Sequence, residues 1–128
     1  MTTTYTHKSG IISLDRNGIV YYRATADEMN DISDLKAILD LMETATKGNP
    51  LLIMMLLNEH QFLMTKEARN FFNEYEKAKE LIRAEAVVTN SLSNGILYSL
   101  LDRLHQPVFP FKSFTDEDEA VKWLLSQR

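Results

Sequence analysis

Leu51-Leu52-Ile53-Met54-Met55-Leu56-Leu57 places seven apolar residues in a row directly after Lys47-Gly48-Asn49-Pro50. A membrane-crossing helix needs about 20 such residues, so the run reads as a strand. Without polar alternation it must be covered on both faces, which is the situation of an interior strand in a parallel or mixed sheet. The residues before it supply a helix stop, because Gly48 accepts the left-handed cap conformation and Pro50 cannot continue a helix. A helix therefore feeds a central strand, and the α/β class follows.

The flanking segments extend this pattern. Gly10–Leu14 and Ile19–Tyr22 bracket Asp15-Arg16-Asn17-Gly18, and Asn-Gly suits the positive φ of a tight turn, so an N-terminal β-hairpin is expected. Asp27 is expected to cap a helix that runs to about Thr46 and carries Met29, Ile32, Leu35, Ile38, Leu39 and Met42 at three- and four-residue spacing. Thr65 reads as the N-cap of a second amphipathic helix with Ala68, Phe71, Phe72, Tyr75, Ala78 and Ile82 on its buried stripe. A short strand over Glu85–Thr89 leads to a third helix bearing Ile96, Leu97, Leu100, Leu101 and Leu104. Pro107 and Pro110 confine the segment around Phe111 to a sheet edge. Thr115 or Asp116 then starts a fourth helix, to Gln127, with Ala120, Val121 and Leu124 facing inward and Trp123 at its flank.

The order ββ-α-β-α-β-α-β-α predicts a single-domain mixed sheet with an N-terminal β-hairpin. Its 128 residues fit one domain over 1–128, and 45% hydrophobic content suffices for a core without metal or disulfide. Zero Cys removes disulfides, zinc ribbons and thiol nucleophiles. With 14 Lys+Arg against 18 Asp+Glu, a net charge of −4 and no basic run, nucleic acid is not the expected partner. The polar, Thr-rich N-terminus lacks the apolar stretch of a secretory signal, so a cytoplasmic location is expected.

Ligand chemistry in open α/β sheets concentrates at the carboxyl ends of parallel strands. Two loops fall there: one with Asn58, Glu59, His60, Thr65 and Lys66, and one with Asn90, Ser91, Ser93 and Asn94. These residues could hold a small anion, nucleotide or lipid headgroup, although plain helix capping is the commoner use of a Ser or Thr at the positions of Thr65 and Ser91. Glu59 beside His60 could form an acid/base pair. No His spacing suggests a metal, and Gly10, Gly18, Gly48 and Gly95 are too scattered for a phosphate-cradling loop or a Gly-x-Ser-x-Gly elbow. No catalytic residues, cofactor or metal are therefore expected. The acidic run Asp116-Glu117-Asp118-Glu119 reads as capping and dipole complementation, and Phe114 with Trp123 as core packing.

Two segments carry a family resemblance. Ser113-Phe114-Thr115-Asp116-Glu117-Asp118-Glu119-Ala120-Val121-Lys122-Trp123-Leu124 looks like the closing "Phe-x-Asp-x-x-x-Ala-x-x-Trp-Leu" helix of the STAS-domain superfamily, in its SpoIIAA-like branch of small bacterial proteins. Ala86-Val87-Val88-Thr89-Asn90-Ser91 looks like the small-protein versions as well. In anti-sigma-factor antagonists of this superfamily, the loop after the central strand bears an Asp-Ser-Ser-Gly-like motif whose serine is phosphorylated. The matching stretch here is Met64-Thr65-Lys66-Glu67-Ala68, with Lys66 or Glu67 near the serine's place and Thr65 one or two positions early.

The resemblance thus implies the fold and a regulatory or protein-interaction role, and leaves the phospho-switch without its serine. It also implies an apolar-ligand or membrane-proximal role through lipid-transfer relatives, although no basic amphipathic helix supports membrane docking. The function expected from the sequence is a non-enzymatic interaction module with a protein partner, and the hairpin and proline-bearing edges could be covered by a second copy in a homodimer. The alternative is a small-ligand module that uses the two loops.

Overall fold

A computed structural model of the chain describes residues 3–58, 60–89 and 109–128. Turn chemistry sets its beginning. Gly18 takes φ +87°, and β2 (Gly10–Leu14) folds back antiparallel onto β3 (Ile19–Ala24) as expected. A further strand, β1 (Thr4–His7), pairs antiparallel with β2 through a second tight turn. Gly10 is required at that corner, because a Cβ there would lie 2.5 Å from the Tyr22 ring and 2.7 Å from the Arg23 carbonyl oxygen.

The first helix starts later than the Asp27 reading predicts. Met29 and Asn30 form a two-residue strand, β4 (Met29–Asn30), and α1 (Ile32–Thr46) is capped by Asp31. The reason is a reciprocal capping box. Asp31 accepts from the Asp34 amide at 2.9 Å, and Asp34 accepts from the Asp31 amide at 2.9 Å. Four positions earlier, Asp27 has no such partner along the chain, and Met29 is 51% exposed and not on a helix face. At the other end Lys47 (φ 56°) and Gly48 (φ 81°) both turn left-handed, and their amides return to Thr44 and Glu43.

The apolar run becomes β5 (Leu51–Leu56), buried at every residue and lying between β3 and β7 (Ile82–Val88), parallel to both. β6 (Leu63–Met64) pairs with β4 in a separate two-stranded ribbon. The second helix is split. Thr65 Oγ1 accepts from the Ala68 amide at 3.0 Å and starts α2 (Lys66–Glu74), but Tyr75 leaves helical geometry (ψ 107°) before α3 (Glu76–Leu81). Ile82, expected on that helix, opens β7 instead, so the strand begins three residues before Glu85. β8 (Phe111–Phe114) follows Pro110 and closes the sheet, which runs β1-β2-β3-β5-β7-β8. The edges are thus the hairpin strand β1 and the proline-preceded β8. The expected helix over Ile96 to Leu104 lies outside the described residues.

Two cores result. On one sheet face α1 and α3 pack Leu39, Met42 and Ala78 against Ile12, Val20, Ile53, Met55 and Val87. On the other, Ala120 and Leu124 of α4 (Glu117–Ser126) meet Ile19, Leu52, Met54, Leu56, Ala84, Ala86 and Val88. Asp116 caps α4 through the Asp118 amide, as the acidic run implied, and Trp123 packs its ring 5.8 Å from that of Phe114. No helix of the described residues is long and apolar enough to cross a membrane.

Candidate functional site

The carboxyl-end loop after β5 is tied down by Asp27. Its carboxylate accepts from the Gln61 amide at 2.8 Å and lies 3.3 Å from His60 Nδ1. Asn58 is exposed and takes φ 46°, turning the chain sharply after the strand. Thr65 is occupied by its cap and Lys66 is exposed. His60 therefore faces Asp27, while Glu59, Asn90, Ser91, Ser93 and Asn94 lie outside the described residues. Within the described part of the two loops, no groups are brought together beyond the Asp27 clamp.

The fold gathers two other sets of residues. The first is a polar cluster where the β1–β2 corner meets the start of α1. His7 Nδ1 accepts from the Ser9 amide at 3.3 Å, so Nε2 carries the proton and donates to Asp34 Oδ1 at 3.1 Å. Ser9 Oγ lies 3.1 Å from the same Nδ1, donates to Asn30 Oδ1 at 3.1 Å and bonds to the Tyr22 hydroxyl. Asp-His-Ser connectivity is that of a nucleophilic triad. Here the serine is 2% exposed and its hydroxyl is fully engaged, so the arrangement braces the fold. Asn30 extends the brace by donating to the Leu63 carbonyl at 3.0 Å, which fastens the β4–β6 ribbon. Burial opposes ionisation of Asp34, yet the Asp31 amide and the Lys8 ammonium, 3.0 Å away, outweigh it and hold the carboxyl down to about 2. Burial raises the Tyr22 phenol above its ordinary range.

The second set lines a cavity of about 290 Å³ between the α1–α2 layer and the sheet. Leu35, Leu39 and Met42 of α1 form one wall, Phe72 of α2 another, and Ile53, Met55 and Val87 the sheet floor. Phe62, held edge-on to Tyr22 at 5.4 Å, joins the polar brace to this space. The exposed residues Met29, Arg69 and Asn73 also line it and mark where it meets solvent.

One carboxyl group breaks the apolar lining. Glu85 sits mid-strand in β7, with Ile53 and Phe111 as its register neighbours, on the face turned to the cavity. Ala84 and Ala86 on either side point into the opposite core. Glu85 is half-buried and lines the cavity, and burial alone pushes its carboxyl up to about 7. It forms no ion pair with Arg69, the other charged residue among the described ones that line the cavity. The signal was present in the sequence as one acidic residue between two alanines, directly before the apolar Val87-Val88 end of the strand.

These features, a mixed sheet with three N-terminal antiparallel strands, parallel strands in sequential order and helices on both faces, define a SpoIIAA-like fold. The same architecture is found in a crystal structure of an uncharacterized protein of the DUF3478 family, described as having a SpoIIAA-like fold, from Shewanella loihica PV-4. The TM-score is 0.57 at 15% identity, and the match covers 97% of this chain and 92% of that one. Residues 12–128 match a family described as a domain of unknown function, DUF7793, and the chain belongs to that family. No curated protein matches it.

Proposed function

We propose that this chain is a non-enzymatic binding module whose ligand is a small, predominantly apolar molecule held in the cavity between α1, α2 and the sheet. The observation that carries this reading is the cavity itself, about 290 Å³ with walls of Leu, Ile, Met, Val and Phe. Preformed apolar clefts with a few polar groups are the usual form of a small-molecule site, and about 150 Å³ is enough to admit benzene. The ligand alternative of the sequence is thus favoured, but the site moves from the loops to the space beneath the helices. A protein-docking face finds less support, because Met29 is the single large hydrophobic left exposed among the described residues and one side chain is not a patch. Catalysis finds less support as well, since the Ser9 hydroxyl is sealed in.

Thermal unfolding in the presence of phenethyl alcohol and short alkylbenzenes tests the proposal. A bound probe at 100 times its dissociation constant should stabilise the fold by about 2.7 kcal/mol. Leu39→Trp, which fills the cavity from α1, should remove the response. Absence of any shift across such probes would refute the reading.

A further inference from the structure

Behind the rim formed by Arg69 and Asn73, the described lining of the cavity is apolar except at Glu85, which is fixed within the sheet. Glu85 is held by ladder bonds to β5 on one side and β8 on the other, so its backbone has no route to solvent. No hydrogen bond or ion pair of its carboxylate forms within the described residues. Around it, β5 and β8 offer Ile53, Met55 and Phe111, α1 offers only Leu, Ile and Met side chains, and α2 offers Phe72 with Arg69 and Asn73 at the exposed rim. Among the described residues that line the cavity Arg69 is the one cation, and it forms no ion pair with Glu85.

An unpaired carboxylate facing an apolar space is costly unless a cation or donor reaches it. From this geometry we infer that the ligand carries a basic amino group on its apolar body, and that Glu85 is the group that receives it. The inference rests on the cavity being the binding site. An ammonium supplied by the ligand would provide the missing countercharge, whereas a carboxylate ligand would set two like charges together. Desolvation as the sole cause of the raised Glu85 pKa, about 7, fits a site whose partner comes from outside the chain.

Calorimetric titration of the full chain with phenethylamine and with phenethyl alcohol, at pH 6 and pH 8, separates the head group from the cavity. The amine remains protonated at both values, while the ionised fraction of Glu85 rises about tenfold, so its apparent affinity should rise about tenfold. The alcohol should bind with no pH dependence and at least ten times more weakly than the amine at pH 8. Glu85→Gln should bring the amine down to the level of the alcohol. Equal binding of the two probes, or an amine affinity that is flat with pH, would overturn the amine inference and leave the cavity reading standing. Binding of neither would overturn both. The pH series on the native chain decides the matter even if the variant does not fold.

Discussion

Replacing Glu85 by glutamine should stabilise the free protein by an amount that grows with pH. The substitution keeps the shape of the side chain and removes only its ability to ionise. Between pH 4.5 and about 7 the folded state holds a proton on Glu85 that the unfolded chain has already released. Native stability therefore falls as pH rises through that window and levels off above it. The rise from 4.5 to about 7, at 1.36 kcal/mol per pH unit, corresponds to about 3 kcal/mol. Glutamine escapes this loss, so the variant should match the native protein near pH 4, below the unfolded value, and exceed it by up to about 3 kcal/mol at pH 8.5. Urea unfolding at a series of pH values measures the difference directly. With a slope of about 1–3 kcal/mol/M, the midpoint should move by on the order of 1 M or more at the alkaline end. A difference that stays constant within about 0.5 kcal/mol from pH 5 to 8.5 would show that the carboxyl is solvated, and the account of the cavity would fail with it.

Three more perturbations probe the frame around the site. Ser9→Ala strips the shared partner from His7, Tyr22 and Asn30 and should cost about 1–3 kcal/mol in urea unfolding, the range for buried polar groups left unpaired. Lys47→Gly relieves a non-glycine residue at φ 56° and should raise stability by several tenths of a kcal/mol up to about 1 kcal/mol, read as a higher thermal midpoint. Asp34→Asn should lower stability at neutral pH and flatten the acid limb: the native carboxyl, depressed to about 2 from 3.8, contributes stability above pH 3.8 that is lost as pH falls toward 2.

What could be read from the residues divides by physical range. The all-apolar run at Leu51, the Asn17-Gly18 turn, the Thr65 cap and the Asp116 start are local signals, and each element stands where its signal lies. The start of α1 was ambiguous because two aspartates, Asp27 and Asp31, precede one apolar periodicity. Only the box with Asp34 separates them, and Asp27 is used across the chain to hold Gln61. The stripe from Ala68 to Ile82 satisfied a single long helix, but pairing of Ile82 with Leu51 in the sheet overrides helical spacing at its end. The site was less legible than the fold. Ser9, His7 and Asp34 meet only because the β1–β2 corner is brought to the start of α1, and the cavity is a property of packing that no segment carries alone. Glu85 was visible as a residue but was read as the start of a strand, when its meaning lay in the face it occupies.

The placement of α4 bears on how the protein is made. Chain order adds β3, β5, β7 and β8 side by side, and α1 to α3 join the same face as they emerge from the ribosome. The opposite face, with Leu52, Met54, Leu56 and Val88, gains Ala120 and Leu124 only after β8 has been synthesised. Among the described elements α4 alone covers this face, so a nascent chain holds these apolar residues without that cover from the synthesis of β7 until residue 117 and beyond, the kind of surface that chaperones hold and that seeds aggregation. Loss of α4, by truncation or by a charge at Leu124, should be felt in the yield of soluble protein before it is felt at the cavity.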